Sequence, residues 1–137
     1  MEVVLDFDRR FDHMQQHSGQ HLLSAIAESY EYRYETVSWS FGVDRCSVEL
    51  LCPHGPPNME QLCAIEKKVN TLIREAIPFT VSVSDPKHDN SDRPSSLPSD
   101  VTGVVRVISI GSLDSNPCCG THVTNTSQLQ VINYLIK

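Results

Sequence analysis

The chain has 137 residues, 39% hydrophobic and 20% charged, with 17 acidic side chains against 11 Lys and Arg for a formal charge of −6. These values are those of one ordinary soluble globular domain with room for a core. No apolar run approaches the roughly 20 residues of a membrane span, and the acidic balance lacks the basic footprint usual in nucleic-acid binders.

The start, Met1-Glu2-Val3-Val4, has no basic n-region and no long apolar core, so no secretory signal is read there. Five cysteines, an odd number, make no neat disulfide framework. Cys46, Cys52 and Cys63 read as small packing residues or reduced surface thiols. The expected compartment is the cytosol.

In chain order, residues 2–7 read as a short strand and residues 8–30 as a helix, capped by Asp6 or Asp8. Phe11, Met14, Ser18, Leu22, Ala25 and Ile26 recur at helical spacing as an inward stripe. His13, His17, His21 and Ser24 form a polar row beside it, the pattern of a helix lining a cleft. Residues 34–41 alternate, with Thr36, Ser38 and Ser40 on one face and Val37, Trp39 and Phe41 on the other. Residues 45–51 alternate again after Gly42-Val43-Asp44, which predicts a hairpin. Asn58 and Gln61 make a capping box for a helix to about residue 76, with Met59, Leu62, Ile65, Val69, Leu72, Ile73 and Ala76 inward. Lys67 and Lys68 on its outer face read as solvated charges rather than phosphate contacts.

Pro78 stops that helix. Residues 79–84 and 103–110 read as strands, separated by a Pro-, Ser- and Asp-rich loop over 85–100. Residues 111–121 read as a loop and 129–136 as a final strand; no internal repeat is found. Helix, hairpin, helix and three strands predict a single α+β domain over residues 1–137, two layers deep, with a mostly antiparallel sheet and helices packed on one face.

Two short motifs carry the chemistry. His17-Ser18-Gly19-Gln20-His21 places two imidazoles at i and i+4 on one helix face, about 5–6 Å apart at their bases. Cys118-Cys119-Gly120-Thr121-His122 places a thiol and an imidazole at the same separation. Either motif alone is weak, because a lone His pair is more often a surface or core feature. Together they offer three nitrogens and one sulfur, a tetrahedral set that suits zinc better than magnesium or calcium. A metalloprotease helix reads His-Glu-x-x-His, with the Glu as general base. Ser18 stands in that place and no carboxylate lies between the histidines, which argues against that mechanism. His13 reads as exposed or as a neighbour of the site rather than a ligand. The adjacent thiols of Cys118 and Cys119 pair poorly, since disulfides want Cα atoms roughly 4.4–6.8 Å apart with suitable dihedrals. A redox role therefore ranks last.

The run from Arg10 to His21, followed by Leu22-Leu23, and the run from Asp114 to His122-Val123 resemble the editing domain of alanyl-tRNA synthetase. They resemble still more its free-standing relatives, the AlaX-type alanyl-tRNA editing deacylases. One departure is that Cys119 stands where the synthetase form has Gly, so Cys119 is not expected to be a ligand. The resemblance implies a fold shared with the editing domain of threonyl-tRNA synthetase, and one Zn2+ in a cleft between the His helix and the sheet. The ligands it implies are His17, His21, Cys118 and His122. The chain is expected to be a short-form member or one domain of a longer protein.

The activity the resemblance implies is trans-editing: hydrolysis of the ester at the 3′ end of tRNA(Ala) mischarged with Ser, with Gly as a second candidate, and with no need for ATP. His17, His21 and Gln20 are the residues set at the reaction, Gln20 by hydrogen bonding alone, and no general base stands out. Thr36, Ser38 and Thr121 are the expected substrate contacts, because a polar pocket rejects an analogue that lacks its partner group. Four protein ligands close a tetrahedral site, so a catalytic and a structural metal are both open. The second reading is a non-catalytic, zinc-stabilised binding module whose acidic surface meets a protein partner.

Overall fold

The computed structural model describes residues 2–29, 31–84 and 104–133. Helix α1 spans Phe7–Ala27 and starts on Asp6, whose carboxylate accepts from the Arg9 N–H. The expected strand over residues 2–7 does not form. Val3 and Val4 lie exposed with no pairing partner among the described residues, and Asp6 turns the chain into the helix. Leu22, Ile26 and Ala27 of α1 share one core cluster with Ile65, Val69 and Ile73 of α2, Met59–Arg74. The predicted capping box of Asn58 and Gln61 is present in full. Met59 and Ala76 are exposed rather than inward. Met59 is the first residue of α2, and Ala76 lies past its end with φ 53°.

Strands β1 (Glu35–Phe41) and β2 (Cys46–Leu51) form the antiparallel hairpin. Strands β3 (Phe79–Ser84), β4 (Val105–Ile110) and β5 (Asp114–Pro117) form a second antiparallel sheet with β4 central. The architecture is α+β as expected, with two small sheets among the described residues in place of one. Its third late strand is β5, inside the stretch read as a loop. The strand expected over 129–136 is absent from residues 129–133, and residues 134–136 lie outside the described residues, as does the loop over 85–100. Leu129 instead closes a short 3-10 helix, Thr126–Leu129, and Gln130 at φ 64° breaks any extension.

The strict alternation read for β1 fails at one point. Thr36 pairs with Leu50 but Ser38 pairs with Glu49, so Val37 is an extra residue in a bulge. Neighbours on β2 face opposite ways, and cross-strand partners share a face. Thr36 therefore lies with Trp39 and Phe41, while Ser38 and Ser40 lie on the other side.

The segment after residue 122 is tied down by its polar groups. Thr126, fully buried, donates through Oγ1 to the Leu72 carbonyl at 2.6 Å and accepts the Ile77 N–H at 2.9 Å. Asn70 of α2 exchanges two hydrogen bonds with the backbone of Ile132. The Gln15 side chain donates to the Gln128 carbonyl at 2.6 Å. Among the described residues, no helix is long and apolar enough to cross a membrane.

Candidate metal centre

His17 and His21 stand on successive turns of α1, and their ring centroids lie 4.9 Å apart. The loop after β5 brings His122 against both, at 4.2 Å from His17 and 4.7 Å from His21. Cys118 Sγ lies 3.5 Å from His17 Nε2 and 3.4 Å from His122 Nε2. All four ligand atoms fall within 4.8 Å of one another, so the group can hold a metal ion. Donors bonded to a tetrahedral ion at about 2.0–2.3 Å are about 3.4–3.6 Å apart, and the two sulfur–nitrogen distances already match that edge. Among the described residues this is the one such group. His13 and His54 are exposed and outside it.

The opposite ring nitrogens are also held. His17 Nδ1–H donates to the Thr121 carbonyl at 3.2 Å. His122 Nδ1 lies 3.1 Å from the hydroxyl of Ser18, which also accepts the Val123 N–H at 3.1 Å. With Nε2 turned to the shared point, Nδ1 carries the proton and donates outward, an arrangement that fixes ring orientation and favours a metal ligand. Phe41 packs on His17 at 5.5 Å and Phe79 stacks on His122 at 5.6 Å, forming two apolar walls. Gln16 holds the hairpin end by exchanging two hydrogen bonds with the backbone of Gly42.

Gly120 has a steric reason to be glycine. A Cβ there would come within 2.7 Å of His17 Nδ1, and closer still to Cε1. Cys119, by contrast, is exposed.

Burial and neighbouring charge favour the neutral rings of His17 and His122. Burial, then the charges of His17, His21 and Arg106, lower His122 to about 3. Burial is also the main cause of the lowered value of His17, with the Thr121 carbonyl opposing and Arg106 adding. For Cys118, burial pushes the thiol up. Hydrogen bonds from His21 and the Gly120 N–H, with the charges of His21 and Arg106, outweigh it, so the net direction is down, toward thiolate.

Gln20 and Thr36 join through a residue between them. The Gln20 amide donates to Ser24 Oγ at 2.9 Å, and Ser24 Oγ lies 2.7 Å from Thr36 Oγ1. Gln20 is buried and, among the described residues, its Oε1 has no partner. Ser38 is not part of this chain of contacts; it is exposed and donates to Glu49 at 2.7 Å. Thr121 contributes its carbonyl to His17, with its side chain at the surface. The sequence reading missed the roles of Ser18, Ser24, Phe41, Phe79 and Arg106. A signal existed for Ser18, a polar residue in an otherwise apolar stripe.

A His-x-x-x-His helix and a Cys-x-x-x-His loop thus meet beside small antiparallel sheets, the α+β arrangement expected of a synthetase editing domain. Residues 105–135 match the family described as the Threonyl and Alanyl tRNA synthetase second additional domain. The chain is 47% identical over 98% of its length to alanyl-tRNA editing protein Aarsd1 of Rattus norvegicus, covering 32% of that protein. It is 51% identical over 97% of its length to alanyl-tRNA editing protein Aarsd1-A of Xenopus laevis, covering 32% of it. With alanyl-tRNA editing protein AlaX-L of Pyrococcus horikoshii it shares 30% identity over 98% of its length, covering 33% of that protein. Across its aligned length the chain is a homologue of the alanyl-tRNA editing proteins, and it spans about a third of the length of these curated relatives.

Proposed function

We propose that this domain is an aminoacyl-tRNA deacylase that hydrolyses Ser-tRNA(Ala), and Gly-tRNA(Ala) as a second substrate, at a zinc site formed by His17, His21, Cys118 and His122. The observation that carries the reading is the convergence of those four donors within 4.8 Å, in a homologue of alanyl-tRNA editing proteins. Three imidazoles and a thiolate are a borderline-soft tetrahedral set, the chemistry of zinc rather than of calcium or magnesium. When bound, zinc supplies Lewis acidity to a carbonyl oxygen and acidifies water near neutral pH.

The chain's own residues supply orientation and selection. His17 and His122 keep their Nδ1 protons on Thr121 and Ser18, so both rings are fixed before substrate arrives. Phe41 and Phe79 keep water from the ring faces. The linked hydroxyls of Thr36 and Ser24, backed by the Gln20 amide, offer hydrogen bonds to the serine hydroxyl. Alanine carries no group to meet them, and buried polar atoms left unpaired cost about 1–3 kcal/mol each. Thr121, at the rim, contacts the acceptor end. Hydrolysis of an ester is downhill and needs no ATP. A cytosolic setting keeps the thiolate ligand reduced, in keeping with free cysteines throughout the described residues.

The test presents zinc-loaded chain, and the full-length protein that contains it, with Ser-tRNA(Ala) and Ala-tRNA(Ala) side by side. Release of serine with alanine retained is the expected result. Equal release from both, or none from either protein, favours the zinc-stabilised binding module instead.

A further inference from the structure

Strand β4 is buried through most of its length, and Ile108 and Ile110 sit on the strand face that Arg106 shares. A guanidinium on such a face needs polar partners, because an uncompensated charge among apolar groups is costly. Among the described residues Arg106 forms no ion pair with a carboxylate. Its Nη1 instead donates to two backbone carbonyls, Cys118 at 2.7 Å and Gly120 at 2.8 Å. The backbone of Arg106 takes part as well: its carbonyl accepts the Cys118 N–H at 3.0 Å.

Residue 118 is therefore gripped at both its N–H and its C=O by a single residue of the central strand. The loop curls around one guanidinium nitrogen, with Cys119 turned out to solvent at the bend. The consequence is geometric. Gly120 is pressed against the His17 ring, the Thr121 carbonyl meets His17 Nδ1, and Cys118 Sγ is left facing His17 and His122. A neutral side chain could not hold two carbonyls as strongly, because hydrogen bonds from an ionised donor are about twice as strong as neutral ones.

We propose that Arg106 is the positioning residue of the metal loop, its guanidinium holding the carbonyls of Cys118 and Gly120 so that the thiolate and His122 meet the two histidines of α1. The role rests on the reading that the four donors hold zinc. Arg106 touches neither ion nor substrate and acts through the loop.

The test uses the whole chain with Arg106→Met, which keeps the apolar stem, and Arg106→Gln, which keeps a neutral donor. Zinc affinity is measured by competition with a chromophoric chelator. Cobalt(II) substitution is followed by its visible bands and its thiolate charge-transfer band, which reports on Cys118. Metal-free unfolding is followed by circular dichroism. Both variants are expected to unfold cooperatively without metal, to bind zinc about 10–100-fold more weakly, and to show a displaced or weakened thiolate band. Wild-type affinity together with a wild-type cobalt spectrum in either folded variant overturns the role of Arg106. If the unsubstituted chain takes up neither zinc nor cobalt, the metal reading itself fails, an outcome distinct from the first.

Discussion

The hydroxyl of Ser18 lies 3.1 Å from Nδ1 of His122, across 104 positions of sequence. The same oxygen accepts the Val123 N–H, so one fully buried atom of α1 holds both the ring of one ligand and the backbone that follows it. Ser18→Ala removes both contacts and strands a buried N–H. The expected loss of stability is about 1–3 kcal/mol, read from urea denaturation of the metal-free chain. Zinc affinity is expected to fall by about 10–100-fold, read by chelator competition. Unchanged zinc affinity would mean that the hydroxyl does not orient the ring.

Neighbouring positions in the second motif separate sharply. On the zinc reading, Cys118→Ala and His21→Ala each remove a donor, and these variants should bind no zinc where the unsubstituted chain binds one equivalent, as measured by elemental analysis. Cys119 is exposed, and Cys119→Gly should leave zinc content unchanged. Gly120→Ala forces a methyl group into the His17 ring and should weaken zinc binding although no donor is touched. Zinc loss from Cys119→Gly equal to that from Cys118→Ala would show that the wrong thiol has been taken as ligand.

Selectivity for serine should follow Thr36 and not Ser38. Thr36→Val is nearly isosteric and removes the hydroxyl beside Ser24. The ratio of Ser-tRNA(Ala) to Ala-tRNA(Ala) hydrolysis should fall about fivefold, the worth of a hydrogen bond of about 1 kcal/mol. Ser38→Ala, whose hydroxyl is spent on Glu49 at the surface, should leave the ratio alone. If the two variants behave alike, the polar chain through Ser24 does not line the pocket.

The metal-free chain should lose stability on mild acidification. His122, lowered to about 3, and His17, lowered by burial, stay neutral in the fold while an unfolded histidine protonates near 6.5. The unfolded state then binds more protons, so stability is held above that value and falls as pH drops toward 3. Cys118, whose thiol is lowered from 9.0, acts in the same sense at higher pH. The urea midpoint in chelator should be lower at pH 5.5 than at pH 7.5, and His122→Gln should flatten the decline. A flat profile for the unsubstituted chain would contradict the neutral-ring assignment.

Much of the fold is legible in the sequence wherever local pattern is enough. The period of α1, the capping box of Asn58 and Gln61, and the hairpin around Gly42 depend on near neighbours. His17 and His21 are legible for the same reason, since i and i+4 positions on a helix stay adjacent whatever surrounds them, whereas Cys118 and His122 lie on a loop and are legible only as a motif. What is not legible is set by tertiary partners. The bulge at Val37 depends on register with β2 and turns Ser38 away from Thr36. β5 is too short and polar to announce itself, and becomes a strand only beside β4. The partner of Ser18 lies more than a hundred positions away, and Arg106 reads as one charge in a strand until its two carbonyls are seen.

His17 and Cys118 are 101 positions apart, so an ion shared by them is a cross-link between the two ends of the domain. A covalent bridge closing a loop of about 100 residues is worth roughly 4.7 kcal/mol on the chain-entropy account, and a coordinated ion restricts the unfolded chain in a similar way while it stays bound. Neither half of the donor set can hold such an ion well alone, because each half is only a pair. Metal supply and core packing thus trade against each other: a weakened contact between α1 and α2 registers as a lower apparent affinity for the ion, and excess ion masks the weakened contact.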